Sequence, residues 1–320
     1  MIKRNSIGGY FSLELTNNKK YHSGDNFVEL NSARNCLEYI LISKQYSKIY
    51  IPYYTCEVIL EPINKTRVNY EFYDLDNNLE PIFDFNRIDK KEAFLLTNYF
   101  GLKDEYILKI HQRVKNLIID NAQSFFSEAI QGIDTFYSPR KFFGLPDGGI
   151  LYTDKKLSES FPIDVSYNRA SHLLKRLDLS AEEAYEDFRL NDESLDNQPI
   201  KFMSNLTKKM LNSIDFDYVK GKRCENFNYL HKELSGVNLF SSFKVSEKSV
   251  PMVYPFRTKN PKLKSKLLKN KIYCATYWSN VLDWSNPTSN SYNLVGELIP
   301  LPIDQRYDKK ELDRIIEIII

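Results

Sequence analysis

The 320-residue chain contains little cysteine and little histidine. Its four cysteines and four histidines are scattered along the chain, without the close spacing that metal sites and disulfide frameworks show. We therefore expect no bound metal and no disulfide scaffold. The low cysteine content also favours a reducing, cytoplasmic setting.

Neither sign of charge is in excess. The 44 basic and 42 acidic residues leave a net charge of +2, so the charge balance predicts no nucleic-acid partner and no anionic membrane surface. No apolar run approaches the roughly 20 residues of a membrane span, and the first residues lack the apolar core of a signal peptide. With 42% hydrophobic and 27% charged residues, the composition is typical of a soluble globular protein.

The glycine-rich signatures of common nucleotide-binding enzymes are also missing. No Gly-x-Gly-x-x-Gly follows a predicted strand, and no Walker sequence occurs. A nicotinamide site and a P-loop site are therefore unsupported.

Short apolar runs alternate with helical patterns in the first half of the chain. Apolar residues recur with helical spacing over residues 33–41, and Asn31 or Ser32 can cap that helix. Further helices are predicted over residues 56–63 and 105–114. Near-continuous apolar strands separated by helices indicate a mainly parallel sheet covered on both faces. The predicted strands are residues 48–52, 68–73, 93–97, 117–119, 135–137 and 150–152.

The second half has a different pattern. Residues 158–198 are polar and acidic, which predicts exposed helices and a loop. Later segments predict helices over residues 202–214, 219–234, 262–268 and 309–320, and strand-like pieces over 250–256 and 271–275.

These patterns suggest three parts. We expect an N-terminal arm over residues 1–25, a large α/β domain over residues 26–214 and a smaller α+β domain over residues 215–320.

Three functional side chains are predicted to meet at one edge of the sheet. Asp120 and Ser138 each lie at the end of a predicted strand, and Lys141 follows in the same loop as Ser138. Ligands of such sheets bind beyond the carboxyl ends of the strands. Singly, an aspartate in a turn or a solvated lysine is ordinary. Together with the helix start at Ala33, they suit pyridoxal phosphate, which needs a lysine, an acid at its ring nitrogen and donors for its phosphate.

Several motifs resemble those of one enzyme family. The most specific are Asp-Asn-Ala-Gln at residues 120–123 and Lys141 upstream of the glycine pair at residues 148–149. Gly-Gly-Tyr-Phe at 8–11, Ile-Pro-Tyr-Tyr-Thr-Cys at 51–56 and Leu-Pro-Ile-Asp-Gln-Arg-Tyr at 301–307 support them. On these motifs most of the chain resembles the DegT-type (DegT/DnrJ/StrS-like) nucleotide-sugar aminotransferases. That resemblance implies the fold type I of pyridoxal-phosphate enzymes and a homodimer.

The resemblance implies a role for each residue of the first motif set. Lys141 would form the Schiff base with the cofactor and move the proton during transfer. Asp120 would keep the ring nitrogen protonated. Gln123 would bond the phenolic oxygen or the phosphate.

The phosphate and ring contacts depart from the family pattern. Ser138 and the backbone of Ala33 and Arg34 would bind the phosphate, and the family's usual Gly-Thr is replaced here, so the side chain of Arg34 can add charge. The usual stacking aromatic aligns with Cys56, which leaves Tyr54 as the nearest flat group.

The implied reaction moves an amino group from an amino acid, with L-glutamate expected, to a nucleotide-linked keto-deoxysugar. Its product would serve surface polysaccharide (O-antigen) or related amino-sugar biosynthesis. Two alternatives stay open: a dehydratase or other lyase using the same cofactor, and a non-catalytic member that binds a sugar nucleotide or a partner protein.

Overall fold

A computed structural model describes residues 7–240 and 249–320. Its main feature is an eight-stranded mixed sheet with the strand order β1-β8-β7-β6-β5-β2-β3-β4. The strands are β1 (Phe27–Leu30), β2 (Lys48–Pro52), β3 (Asn69–Leu75), β4 (Pro81–Ile82), β5 (Glu92–Thr97), β6 (Leu117–Asn121), β7 (Asp134–Tyr137) and β8 (Gly149–Tyr152).

The centre of this sheet is parallel. β3, β2, β5, β6 and β7 run in the same direction, whereas β1, β4 and β8 pair antiparallel with their neighbours. The prediction of a mainly parallel sheet is confirmed, and the parallel arrangement puts the carboxyl ends of β5, β6 and β7 at one edge.

Helices cover both faces of the sheet. They are α1 (Ala33–Lys44), α2 (Leu60–Thr66), α3 (Asp104–Ile110), α4 (Ser171–Asp178), α5 (Ala181–Glu193) and α6 (Asn205–Asn212). The later helices are α7 (Phe216–Leu234), α8 (Leu263–Lys269), α9 (Val281–Trp284), α10 (Asn290–Glu297) and α11 (Lys309–Ile319). The start of α1 is fixed by Ser32, whose hydroxyl accepts a hydrogen bond from the backbone N–H of Asn35.

Successive side chains of a strand point to opposite faces of the sheet, and both faces of this sheet are buried. Ile49 and Ile51 of β2 pack in the cluster that contains Leu37 and Ile40 of α1. Tyr50, between them, packs on the opposite face. Apolar residues therefore occupy consecutive positions, as the near-continuous apolar runs predict.

A second, two-stranded sheet lies in the later part of the chain. It pairs β9 (Val253–Arg257) with β10 (Leu298–Pro302) in antiparallel register. Its cluster buries Leu230 of α7 and Leu312 and Ile315 of the amphipathic α11. The strand-like prediction for residues 271–275 was wrong, because that segment exposes most of its side chains and pairs with no strand among the described residues.

The predicted domain boundaries stay predictions. A short turn between α6 and α7 lies at the predicted boundary near residue 214, but Val281 and Leu294 pack in the cluster of the large sheet. Of the predicted arm, residues 1–6 lie outside the described residues, and residues 7–20 are exposed with no regular secondary structure. Within residues 7–240 and 249–320, no helix has the length and apolarity needed to cross a bilayer.

Candidate active site

A cavity of about 150 Å³ lies at the carboxyl edge of the large sheet, against the start of α1. We call it the inner cavity. Six of the seven predicted site residues line it: Ala33, Arg34, Asp120, Gln123, Ser138 and Lys141. Tyr54 does not line it.

The start of α1 provides donors for an anion. Ser32 pairs with Gly148 in an isolated parallel bridge, and Ala33 and Arg34, the first two residues of the helix, have backbone N–H groups without a partner inside the helix. Gly149 is packed directly beneath them, since a Cβ atom there would overlap the carbonyl group of Ser32. The glycine therefore lets β8 approach the helix start closely, next to a ready anion site.

Ser138 faces the same place from the end of β7. Its carbonyl accepts a hydrogen bond from the backbone N–H of Lys141 at 3.1 Å, which closes the tight turn Pro139–Lys141. Its hydroxyl has no partner within the described part of the chain and remains available to a ligand.

Asp120 is the buried acid of the inner cavity, with 6% of its surface exposed. Its Oδ1 accepts a hydrogen bond from the backbone N–H of Ala122 at 2.8 Å, and the hydroxyl of Thr97 donates to Oδ2 at 3.4 Å. Burial raises the pKa of this carboxyl to about 6, although both hydrogen bonds and the nearby charge of Lys141 oppose the rise. A cation placed against Asp120 would restore the ionised form.

Gln123 is held by its amide oxygen. Oε1 accepts a hydrogen bond from the backbone N–H of Phe100 at 3.1 Å. The amide nitrogen has no partner among the residues that the structure describes, so Gln123 can donate to an oxygen of a ligand.

Lys141 has an exposed side chain. Its amine forms no ion pair or hydrogen bond with the described residues. It lines the inner cavity and also a second, larger cavity of about 570 Å³, which we call the outer cavity. A free amine that borders both cavities is placed to react with groups from either side.

The side chain of Arg34 has other partners than expected. Its Nη1 donates to Glu61 at 3.4 Å and to Asp196 at 2.5 Å. Because the guanidinium is paired with two carboxylates, the contribution of Arg34 to the inner cavity is its backbone N–H, and the expected direct charge is largely neutralised.

Tyr54 is fully buried away from the inner cavity. Its ring packs edge-on against Trp278 with 5.2 Å between centroids, and its carbonyl accepts a hydrogen bond from the hydroxyl of Tyr99. Trp278 itself lines the inner cavity, as does Cys56. Two aromatic rings, Trp278 and Phe136, therefore line the inner cavity, and Tyr54 packs against Trp278.

The lining residues that sequence reasoning missed include Arg140, Asp192 and Trp278. Arg140 and Asp192 come from distant parts of the chain and form an ion pair. Nη1 and Nη2 of Arg140 donate to Asp192 Oδ1 at 3.1 and 3.2 Å. The position of Arg140 directly before Lys141 was the only signal in the sequence. Asp192 and Trp278 belong to segments whose approach to the sheet edge depends on the tertiary fold. In the described parts of the chain, no group of three or more His, Cys, Asp and Glu residues is arranged to hold a metal ion.

Comparison with known proteins gives a match at the level of structure. No family model and no curated protein matches the sequence. A putative sugar aminotransferase from Streptococcus pneumoniae superposes with a TM-score of 0.62 at 16% identity, over 91% of this chain and 84% of that one. The aminotransferase TlmJ from Streptoalloteichus hindustanus gives a TM-score of 0.65 at 14% identity, over 92% and 84%. A DegT-type aminotransferase from Brucella abortus gives 0.62 at 15% identity, over 92% and 84%.

The chain has the fold of these aminotransferases. The Streptococcus pneumoniae protein has also been solved in a PLP form and a PMP form. At such low identity the likeness establishes the fold, and the chemistry of this chain rests on its own residues.

Proposed function

We propose that this protein is a pyridoxal-phosphate-dependent aminotransferase of the DegT type. It transfers the amino group of an amino acid, L-glutamate in the first instance, to a nucleotide-linked keto-deoxysugar. The observation that carries the proposal is the meeting of Asp120, Ser138 and Lys141 in one cavity at the start of α1.

The residues fit the cofactor by charge and by hydrogen bonding. The pyridoxal ring supplies an electron sink when it is bound. Asp120 would face its ring nitrogen, where a cation relieves the cost of burying the carboxylate. The free hydroxyl of Ser138 and the N–H groups of Ala33 and Arg34 would receive the phosphate. Trp278 would lie against the ring.

Lys141 carries the proton chemistry in this proposal. Its amine is unpaired and borders both cavities, so it can hold the cofactor and then act as general base and general acid toward the substrate carbon. Because the same amine serves both half-reactions, donor and acceptor would bind in turn at one site.

The outer cavity fits a large anionic substrate. It is lined by Arg176, by Arg306 with its ion-pair partner Asp304, and by the rings of Tyr185 and Phe188. Arginines recognise phosphate groups, and aromatic rings offer stacking surfaces for a nucleobase. Its connection to Lys141 would bring the sugar of such a nucleotide to the reactive amine.

The remaining parts of the proposal rest on the family resemblance. They are a homodimer, a cytoplasmic location, a product used for surface polysaccharide (O-antigen) or related amino-sugar biosynthesis, and the division into an arm and two domains. Exposed apolar residues on the arm and on α4, among them Tyr10, Phe11 and Leu177, are compatible with a partner subunit.

Product analysis tests this function. The purified protein, pyridoxal phosphate, L-glutamate and a nucleotide-linked keto sugar should yield an aminated sugar nucleotide and 2-oxoglutarate in equal amounts, measured by mass spectrometry. Lys141→Ala should yield neither. A dehydrated sugar without consumption of glutamate would contradict transamination and favour a lyase, and sustained turnover by Lys141→Ala would contradict the role of that lysine.

A further inference from the structure

Arg140 differs from the other arginine at the inner cavity in how its donors are used. Both Nη atoms of Arg140 donate to a single oxygen of Asp192, so the planar fork does not meet both oxygens of the carboxylate. Its Nε is buried and has no partner in the part of the chain that the structure describes. The guanidinium therefore has donor capacity that the protein itself leaves unused.

The two partners of this ion pair are unequally buried. The side chain of Arg140 is 16% exposed, whereas that of Asp192 is 53% exposed. Burial lowers the pKa of the Arg140 guanidinium, and the neighbouring charge of Arg34 adds to this effect. A largely buried cation whose partner carboxylate is solvated, and which has a buried N–H without an acceptor among the described residues, is a favourable place for an additional anion.

Arg140 also lies beside the phosphate donors already described. It is two residues after Ser138, whose hydroxyl is free, and it lines the same cavity as Ala33 and Arg34 at the start of α1. Nη1 of Arg34 is ion-paired with both Glu61 and Asp196. Of these two arginines, Arg140 is the one that has a fully buried donor, Nε, without a partner among the described residues.

We propose that Arg140 is a phosphate-binding residue of the cofactor site, and that Asp192 holds its guanidinium in place until the phosphate binds. This inference rests on the proposed function. It adds Arg140 to the residues that would bind the phosphate, as a source of positive charge. Arg140 would supply that charge to a phosphate site that lacks the Gly-Thr pair of the family that the sequence resembles. The phosphate and Asp192 would both accept hydrogen bonds from Arg140. The exposed carboxylate of Asp192 can also turn toward solvent.

The test separates the phosphate from the rest of the cofactor. Cofactor-free wild type, Arg140→Gln and Arg140→Lys are titrated with pyridoxal phosphate and with pyridoxal, which lacks the phosphate, and dissociation constants are read from tryptophan fluorescence. Arg189→Gln is the matched control, because Arg189 lies on the same helix as Asp192, pairs with Glu186 and Glu193 and does not line the cavity.

Arg140→Gln should raise the dissociation constant of pyridoxal phosphate roughly tenfold to a hundredfold, as expected for the loss of a charge-assisted hydrogen bond, and change that of pyridoxal about twofold or less. Arg140→Lys should recover much of the loss, and Arg189→Gln should alter neither constant. Inorganic phosphate should compete with pyridoxal phosphate in the wild type and compete less well in Arg140→Gln.

Three results would overturn the inference. An unchanged affinity of Arg140→Gln for pyridoxal phosphate would remove Arg140 from the phosphate site. An equal loss of affinity for both ligands would show that the substitution disturbs the whole cavity. Unchanged binding of pyridoxal would exclude such a disturbance. A wild type that binds neither ligand would refute the cofactor proposal itself, and the inference with it.

Discussion

The guanidinium of Arg223 lies 4.6 Å from the ring centroid of Phe142, and its Nη2 donates to the carbonyl of Phe142 at 3.3 Å. The same carbonyl accepts a hydrogen bond from Nε2 of Gln305 at 3.1 Å, and Nη1 of Arg223 donates to the carbonyl of Met252 at 2.9 Å. Phe142 directly follows Lys141. The later part of the chain therefore holds the backbone next to the proposed catalytic lysine.

Replacing Arg223 with Met should test this connection. The change leaves the buried carbonyls of Phe142 and Met252 with fewer donors, so we expect the free energy of unfolding to fall by about 2–3 kcal/mol in urea denaturation. Lys232→Met, at an exposed position of the same helix, should change it by less than about 0.5 kcal/mol. Equal losses in the two variants would contradict a specific role for Arg223.

Asp120→Asn should stabilise the cofactor-free protein at neutral pH. Folding raises the pKa of Asp120 from 3.8 to about 6, so the ionised carboxylate is less favourable in the folded state than in the unfolded state. This costs about 3 kcal/mol above pH 6, and the cost disappears as the pH falls from 6 to below 3.8.

The stabilisation by Asp120→Asn should therefore be largest near pH 8 and shrink as the pH falls toward 4, measured by urea denaturation at each pH. The same variant should bind pyridoxal phosphate more weakly, since the neutral amide cannot form an ion pair with the ring nitrogen. A variant that is less stable than the wild type at pH 8 would contradict the free-energy cost that we assign to burying the ionised carboxylate of Asp120.

Trp278 can be tested directly, because the chain has two tryptophans and Trp284 packs on Phe72 with 5.0 Å between ring centroids. In Trp284→Phe, the fluorescence of the remaining Trp278 should be quenched strongly when pyridoxal phosphate binds, because that ring lines the cavity. In Trp278→Phe, the quenching of Trp284 should be weaker. Stronger quenching of Trp284 than of Trp278 would show that the pyridoxal ring does not bind next to Trp278.

Two glycine-to-alanine changes should have opposite effects. Gly149→Ala puts a Cβ atom into the carbonyl group of Ser32, so we expect it to lower stability and to weaken binding of pyridoxal phosphate by moving the start of α1. Gly221→Ala meets no atom within 4 Å in the interior of α7 and should raise stability by up to about 1 kcal/mol. Thermal denaturation with and without cofactor measures both. A Gly149→Ala protein with normal stability and cofactor affinity would contradict the close packing described here.

The sequence predicted the elements whose pattern is local. The central strands β2, β5, β6 and β7 are buried on both faces and therefore appear as apolar runs, and α1 is marked by its cap at Ser32. β10 was missed because it contains Pro300 and Pro302, which normally argue against a strand. In this two-stranded sheet both strands are edges, and Pro300 pairs opposite Pro255.

In the candidate site, too, the residues with a local sequence pattern could be predicted and those placed by tertiary packing could not. Asp120, Ser138 and Lys141 could be predicted because each lies at the end of a strand or in the loop after it, and parallel strands end at one edge of the sheet. Trp278 and Asp192 reach the cavity from α-helical and loop segments that carry no signal of where they pack. The role first predicted for Tyr54 fits Trp278 better, since neighbours in the sequence do not reveal which ring faces the cavity.

The visible absorption spectrum tests the central claim most directly. Purified wild type and Lys141→Ala are titrated with pyridoxal phosphate, treated with borohydride and digested for mass spectrometry, and a parallel sample receives L-glutamate. We predict a yellow protein whose visible band decreases with glutamate, and a cofactor attached after reduction to the peptide that contains Lys141 and absent from the variant. A wild type that stays colourless with excess cofactor, or a label on another lysine, would contradict the account.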